Sequence, residues 1–392
     1  MSQQLDPSKA AIDSDPVIEH EAKGETYHIR RIEPGDVEGY LDLHRNTELE
    51  LGGGREWFAW KFEDSPYLVH TPVFVAEHEG EVVGARPFVP FRLRAGPRTT
   101  IGLQTADTVV APDHRGRGLL SRMNDLAFAY YRRREPELLF AIPNARSRPA
   151  YLDMGARTVG PIRTWLRIER PSTYLDEKLG GLAPERAAAA LDGISDGYHR
   201  LRDRRRNGHH HDEIEVERHA TVPSETLAEV AALPQPDVIH AHRDRAFYDW
   251  RFENPNWEYD SYVASRDGDP VAGLVAGTRQ FADRTETRIA DVVPLAGETR
   301  VPAIAALFER LLRTHPETDV FAVAGSGLPP SLLRSFGFRP DDGLALSPLA
   351  NSTVLITMPI TAGDAPDPWT VEGRDVTDPD SWDLPFCEHN TG

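Results

Sequence analysis

The segment Val109-Val110-Ala111-Pro112-Asp113-His114-Arg115-Gly116-Arg117-Gly118-Leu119-Leu120 holds the densest chemical signal in the chain. An apolar strand runs into a loop with two glycines, and the loop opens directly into an amphipathic helix. Glycine lets backbone N–H groups approach an anion closely, and a helix N-terminus adds roughly half a positive charge. Arg115 and Arg117 flank the glycines, so the combination suits a pyrophosphate. Further on, Asn144 follows an apolar run and Tyr151 stands four residues before Gly155. A phenol at that place can pass on a proton, or simply pack its ring and bond a carbonyl. Asp107 is the nearest carboxylate on the strand and the candidate general base, with Glu56 and Glu63 as poorer ones.

These residues need a scaffold, and periodicity supplies one. Thr26–Ile32 alternates as a strand, and Asp36–Glu48 has helical spacing. Arg55–Phe62 reads as a short aromatic helix stopped before Pro66. Val73–Glu77 and Val82–Leu93 form a hairpin across Gly80, and Arg98–Ala111 is a third long strand. Leu119, Leu120, Met123, Leu126, Ala127 and Tyr130 share one helix face. Leu138–Pro143 is a short buried strand, Ser147 and Pro149 open a helix that Gly155 closes, and Ala156–Ile168 returns as strand. Antiparallel strands followed by a strand–helix–strand unit predict a mixed α/β sheet of the α+β kind.

The pattern occurs twice. Trp57-Phe58-Ala59-Trp60-Lys61-Phe62-Glu63 resembles Phe247-Tyr248-Asp249-Trp250-Arg251-Phe252-Glu253, and Val75-Ala76 with Gly80 resembles Val263-Ala264 with Gly268. Ala106-Asp107 pairs with Ala290-Asp291, Phe140-Ala141 with Phe321-Ala322, and Met154-Gly155 with Phe336-Gly337. Matches that keep their order point to a duplicated unit. In the second copy the loop becomes Pro294-Leu295-Ala296-Gly297-Glu298-Thr299-Arg300-Val301-Pro302, with one glycine and a proline that removes an N–H, and Leu333 stands at the Tyr151 place. Asp291 survives in that degenerate copy, which is what a structural aspartate would also do. The expected division is a mobile tail (1–24), a first domain (25–170), a linker with an alanine-rich helix (171–211), a degenerate second domain (212–360) and a C-terminal tail (361–392).

At this strand–loop–helix junction the GNAT acyltransferases carry Arg/Gln-x-x-Gly-x-Gly/Ala. The run Arg115-Gly116-Arg117-Gly118-Leu119-Leu120 resembles it at Arg115 and Gly118 and departs at the last position, where Leu120 stands for Gly or Ala. Asn144 and Tyr151 fall where the family has an Asn and then a Tyr four residues before a Gly. The resemblance is good over about 26–168 and weaker over 212–359. It implies two tandem GNAT-like domains, the second degenerate, and acetyl-CoA as co-substrate. Val109, Val110, Arg115, Gly116, Arg117, Gly118, Leu119 and Asn144 would hold that co-substrate. An amine would attack the thioester directly, a backbone N–H near Val110 would polarise its carbonyl, and Tyr151 would protonate the leaving thiolate.

Composition limits the partners. A net charge of -18 repels nucleic acid phosphates and anionic lipid headgroups. No run of about 18 apolar residues occurs, and the N-terminus has no apolar core of a signal peptide, so a cytoplasmic chain is expected. Cys387 is the sole cysteine, so no intrachain disulfide and no cysteine zinc site can form, and His209-His210-His211 reads as solvated rather than as a metal ligand. Lys9, Lys23, Lys61 and Lys178 are the only lysines; a halophilic source and GC-rich codon bias both explain such a surface. The acceptor is expected to be a small-molecule or peptide amine, with homo-oligomerisation left open. Two other classes share parts of the pattern. An aminoacyl-tRNA-dependent ligase of the Fem kind would not need the loop and would need a basic face. A non-catalytic acyl-CoA sensor would keep the loop without an acid.

Overall fold

The computed structural model describes residues 17–47, 53–132, 134, 136–173, 185–206, 213–234, 236–297, 300–343, 353–360 and 367–390. Polar β1 (Ile18–Ala22) and β2 (Glu25–Arg31) form a hairpin, whose turn residues Lys23 and Gly24 both take positive φ. There follow α1 (Val37–Arg45) and α2 (Arg55–Phe58), the latter continuing as a π-helical turn over Ala59–Glu63. Next come β3 (Val73–His78), β4 (Glu81–Ala95), β5 (Arg98–Thr105), β6 (Val109–Val110), α3 (Leu119–Tyr131), β7 (Pro136–Ala141), α4 (Arg148–Asp153), β8 (Arg157–Pro161) and β9 (Thr164–Ile168).

The second unit repeats this order. After α5 (Glu185–Arg206) come β10 (Glu215–His219), α6 (Ser224–Ala231), β11 (Ile239–Ala241), α7 (Arg245–Arg251), β12 (Glu258–Arg266), β13 (Asp269–Gln280) and β14 (Thr285–Val293). Then follow α8 (Val301–Thr314), β15 (Val320–Ala324), α9 (Pro330–Ser335), β16 (Arg339–Pro340) and β17 (Val354–Pro359). Each sheet therefore carries helices on both faces. In the first unit Leu119, Met123, Leu126 and Ala127 of α3, which share one helical face, bury against Ala76, Phe88 and Leu103. Tyr40, Trp57, Phe58 and Phe62 of α1 and α2 cover the other face.

The units do not divide where the sequence suggests. The first sheet runs β1-β2-β3-β4-β5-β7-β17-β8, and the second β10-β12-β13-β14-β15-β9-β16. Each copy thus lends its last strand to the other: β17 lies antiparallel between β7 and β8, and β9 antiparallel beside β15 and β16. The boundaries expected at 170 and 360 therefore do not separate the two sheets, since β9 and β17 each join the sheet of the other copy. β17 is apolar nearly throughout, with Val354, Leu355, Ile356 and Met358 buried, as a strand covered on both faces requires.

The described parts of both expected tails are built into the fold. The polar strand β1 belongs to the first sheet, so the tail expected over 1–24 includes an ordered edge strand at Ile18–Ala22. The C-terminal segment buries Val376, Trp382, Leu384, Cys387, Glu388 and His389 between the units. The Trp382 ring approaches Phe140 of the first sheet, while Asp383 N–H donates to Ile239 O of the second unit at 3.1 Å. The two aromatic helices meet through a reciprocal pair of bonds: Trp60 Nε1 donates to Trp250 O at 2.9 Å and Trp250 Nε1 to Trp60 O at 2.7 Å. Among the described residues no helix is long and apolar enough to cross a membrane.

Candidate active site

The strand expected over Arg98–Ala111 breaks after Thr105. Three residues, Ala106 to Thr108, stand against two on β4, Arg86 and Pro87, before pairing resumes at Ala85↔Val109. This is a bulge, and Asp107 within it has φ 30°. Parallel pairing of β5 with β7 ends at Gln104↔Phe140, so beyond the bulge β6 stays with β4 while β7 diverges. Ala111 N–H donates back to Val83 O, and successive N–H groups of a strand point to opposite edges. The Val110 N–H therefore faces the gap left by β7.

At the mouth of this gap sits the glycine loop. Gly116 and Gly118 have φ 68° and 76°, left-handed values that side chains rarely adopt. Arg122 N–H is the donor that first reaches back, to Gly118 O, so the N–H groups of Leu119, Leu120 and Ser121 precede the helical ladder. The space above is open: a Cβ on Gly118 would have His20 Nε2 as nearest neighbour at 3.8 Å, and on Gly116 Lys23 Nζ at 3.9 Å. Both basic groups come from the β1–β2 hairpin, which the sequence did not connect with this loop. The two arginines serve the loop itself. Arg115 Nε donates to Val110 O at 3.0 Å, and Arg117 is held by Glu25 at 2.6 Å and by Asp113 O at 3.1 Å. The side chain of Arg117, one of the residues expected at the co-substrate, is paired with Glu25, while His20 Nε2, bonded to Arg117 O at 2.8 Å, and Lys23 Nζ border the glycines.

Tyr151, only 8% exposed, reaches from α4 to the underside of the bulge. Its hydroxyl donates to Thr105 Oγ1 at 3.0 Å and accepts from Arg86 Nη1 at 2.7 Å. Burial pushes the phenol's pKa up, but the Arg86 guanidinium and the hydroxyls of Thr105 and Thr108 outweigh it, leaving Tyr151 below the ordinary tyrosine value. Asn144 shapes the start of α4, its Oδ1 accepting from the N–H groups of Arg146 and Ser147 at 3.0 and 2.9 Å; its Nδ2 takes no part in that turn.

Asp107 turns to the opposite face of the sheet. Its Oδ2 lies 2.6 Å from the buried ammonium of Lys61 on the α2 turn. The second unit repeats the device: Arg243 Nε donates to Asp291 at 2.9 Å, and Tyr248 OH donates to the same carboxylate at 2.8 Å. A carboxylate that neutralises a buried cation cannot take up a proton without leaving that cation unpaired, at a cost of several kcal/mol. The expectation of Asp107 as general base is corrected on this ground. It anchors the bulge to α2.

His44 lies near this pair, 4% exposed, with no hydrogen-bond partner at either ring nitrogen among the described residues. Burial lowers its pKa to about 4, and nearby Lys61 adds to the fall while Asp107 opposes it. A depressed histidine favours the folded state above the unfolded pKa of about 6.5, and that stability is lost as pH falls toward 4. We expect unfolding free energy to fall with acid by up to about 1.4 kcal/mol per pH unit from this group. Urea titrations between pH 7 and 5 should show a shallower slope for His44→Leu than for wild type; equal slopes would show that His44 ionises freely in the fold. His209–His211 lie outside the described residues.

Among the described residues the second unit shows no comparable opening. Asp383 of the C-terminal segment accepts from Ser326 N–H and Gly327 N–H at 2.8 and 3.0 Å, just beyond β15. A small cavity there is lined by Asp291, Leu295, Arg300, Asp383 and Pro385, so the protein's own carboxylate occupies the region where β14 and β15 part.

A mixed sheet whose neighbouring parallel strands part at a bulge, above a glycine loop that starts a helix, is the arrangement of the GNAT fold, and the second unit repeats the sheet without that loop. Residues 28–159 match the family model of the GNAT acetyltransferase domain. Comparison with curated proteins finds no sequence match. Among solved structures, a GCN5-related N-acetyltransferase from Anabaena variabilis superposes with TM-score 0.56 at 13% identity, over 86% of this chain and 73% of that one. A conserved protein of Enterococcus faecalis described as a probable N-acyltransferase gives 0.57 at 10% identity, over 86% and 72%. A GCN5-related N-acetyltransferase from Kribbella flavida gives 0.54 at 16% identity, over 85% and 71%. At these identities the likeness concerns the fold, and it extends across both units.

Proposed function

We propose that the chain is an acyl-CoA-dependent N-acyltransferase that moves an acetyl group from acetyl-CoA to an amine by direct attack in a ternary complex. The observation that carries this reading is the junction of β6, the Gly116–Gly118 loop and α3 beside the gap left by β7. The site fits the co-substrate: donors ahead of the helical ladder face space where, among the described residues, a Cβ on Gly116 or Gly118 meets only Lys23 or His20. Gly116 to Ser121 would bind the pyrophosphate, and the gap between β6 and β7 would take the chain that bears the thioester. The Val110 N–H is aimed into that gap and would stabilise charge developing on the thioester oxygen. Tyr151 would give its proton to the departing sulfur. An amine arriving neutral would lose its proton to water, because Asp107 is committed to Lys61.

One site per chain follows, since Asp383 holds the corresponding region of the second unit. Isothermal titration with acetyl-CoA should give a stoichiometry near one, and free-thiol release across a panel of amines should reveal turnover. Two equal sites would refute the assignment of the second unit as non-binding. Binding without thiol release from any amine would favour an acyl-CoA sensor over a transferase.

A further inference from the structure

Arg86 is the anomaly of the first unit. It sits in the apolar run Val82-Val83-Gly84-Ala85-Arg86-Pro87-Phe88-Val89, is 1% exposed, and packs on the α3 face of the sheet. Its hydrogen-bond partners are all uncharged: Nε donates to Asn124 Oδ1 at 2.8 Å, and Nη1 to Thr108 Oγ1 at 2.6 Å and to the Tyr151 hydroxyl at 2.7 Å. Nη2 has no partner among the described residues. The guanidinium carbon lies 5.0 Å from the centre of the Phe88 ring and 5.1 Å from that of Tyr151. Among the other buried cations, Lys61 has Asp107 and Arg243 has Asp291 and Glu388, whereas Arg251 spends its guanidinium on the backbone carbonyls of Cys387 and His389. A guanidinium taken out of water with no anion is costly, and a neighbour that becomes an anion would offset that cost. The group in contact with Arg86 that can become an anion is the Tyr151 phenol.

We propose that Arg86 is a positioning residue for proton transfer: it is the counter-cation of the phenolate that remains on Tyr151 once its proton has gone to the leaving thiolate. This rests on the acyl-transfer reading above and deepens it. In the step the C–S bond breaks and sulfur keeps the electron pair. The Tyr151 O–H bond then breaks as an S–H bond forms, and the phenolate stays between Arg86 and the hydroxyls of Thr105 and Thr108. The phenolate regains a proton from solvent, to which the attacking amine has released one, so the cycle balances. Asn124 fixes the guanidinium through Nε, which keeps Nη1 directed at the phenol oxygen. The lowered pKa of Tyr151 agrees with this placement.

The test uses the full chain labelled with [13Cζ]tyrosine, and the Tyr151 signal among the eleven tyrosines is identified by its loss in Tyr151→Phe. In wild type it should titrate below the free value of about 10. In Arg86→Met its midpoint should move up, kcat should fall about tenfold, and the alkaline limb of the kcat profile should move to higher pH. Arg86→Lys should restore part of each effect. A wild-type Tyr151 that titrates above free tyrosine overturns the proposal without any variant, which covers the case in which Arg86→Met does not fold. An unchanged midpoint in Arg86→Met overturns it too and assigns Arg86 to packing alone. If the midpoint moves as expected but Tyr151→Phe turns over like wild type, the phenolate pairing stands while both the acid role of Tyr151 and the catalytic part of this proposal fall.

Discussion

Gly118→Asp should abolish acetyl-CoA binding while the protein stays folded. The position takes φ 76° and a Cβ there meets only His20 Nε2 at 3.8 Å, so the side chain has room and the left-handed backbone costs about 1–2 kcal/mol. Asp tolerates that conformation better than most residues, and its carboxylate can accept from the free N–H groups at the start of α3. That same satisfaction is what removes the site, because the side chain takes the donors meant for the pyrophosphate and adds a like charge. Two unit charges 4 Å apart at an effective dielectric of 20 repel by about 4 kcal/mol, roughly a thousandfold in affinity. Gly118→Ala separates the effects, since it carries only the backbone strain and should weaken binding far less. Isothermal titration reports the affinity and thermal melting the fold. A folded Gly118→Asp protein with wild-type affinity would show that the pyrophosphate is not held at this loop.

How much of this was legible in the sequence depended on whether the signal was local. The Arg115–Leu119 loop could be read because two glycines and the apolar spacing of α3 lie within a dozen residues. So could the duplication, and its best-matched segment, the aromatic helix, is where Trp60 and Trp250 exchange hydrogen bonds. The strand exchange was not legible. Alternation in Thr164–Ile168 and the apolar run Val354–Pro359 show that each strand is covered, yet neither says which sheet covers it. The β1 hairpin escaped because an edge strand needs only ladder bonds and half-burial, so Ile18–Ala22 carries mostly polar residues and reads as a tail. Thus His20 and Lys23, the basic groups nearest the glycines, went unnoticed. Arg86 did leave a trace, an arginine in the middle of an apolar strand, but its meaning depends on Tyr151, 65 positions away along the chain. Asp107 was misassigned for a related reason. It stands in the bulge between β5 and β6, and its partner Lys61 lies on the opposite face of the sheet from Tyr151.

Tyr151→Phe should lower kcat by about a hundredfold, the lower end of what general acid catalysis typically contributes, because a thiolate leaves fairly well unaided. Acetyl-CoA affinity should stay close to wild type, since the phenol underlies the bulge and the pyrophosphate contacts come from Gly116 to Ser121. The loss should therefore fall on kcat and not on the co-substrate's dissociation constant. The substitution is not structurally silent, however. Removing the hydroxyl takes an acceptor from the buried Arg86 Nη1, which keeps Thr108, and a donor from Thr105 Oγ1. Leaving such groups short of a partner costs about 1–3 kcal/mol, so the melting temperature should fall as well. Turnover must accordingly be expressed per folded molecule, at a temperature well below the variant's transition. A thioester whose thiol is more acidic than that of CoA separates the two effects further. If Tyr151 is the acid, such a donor needs the proton less and the defect of the Phe variant should shrink. If Tyr151 only holds the bulge together, the defect should be the same for both donors. A kcat within a factor of two of wild type for the folded Phe variant would show that water, not Tyr151, protonates the leaving thiolate.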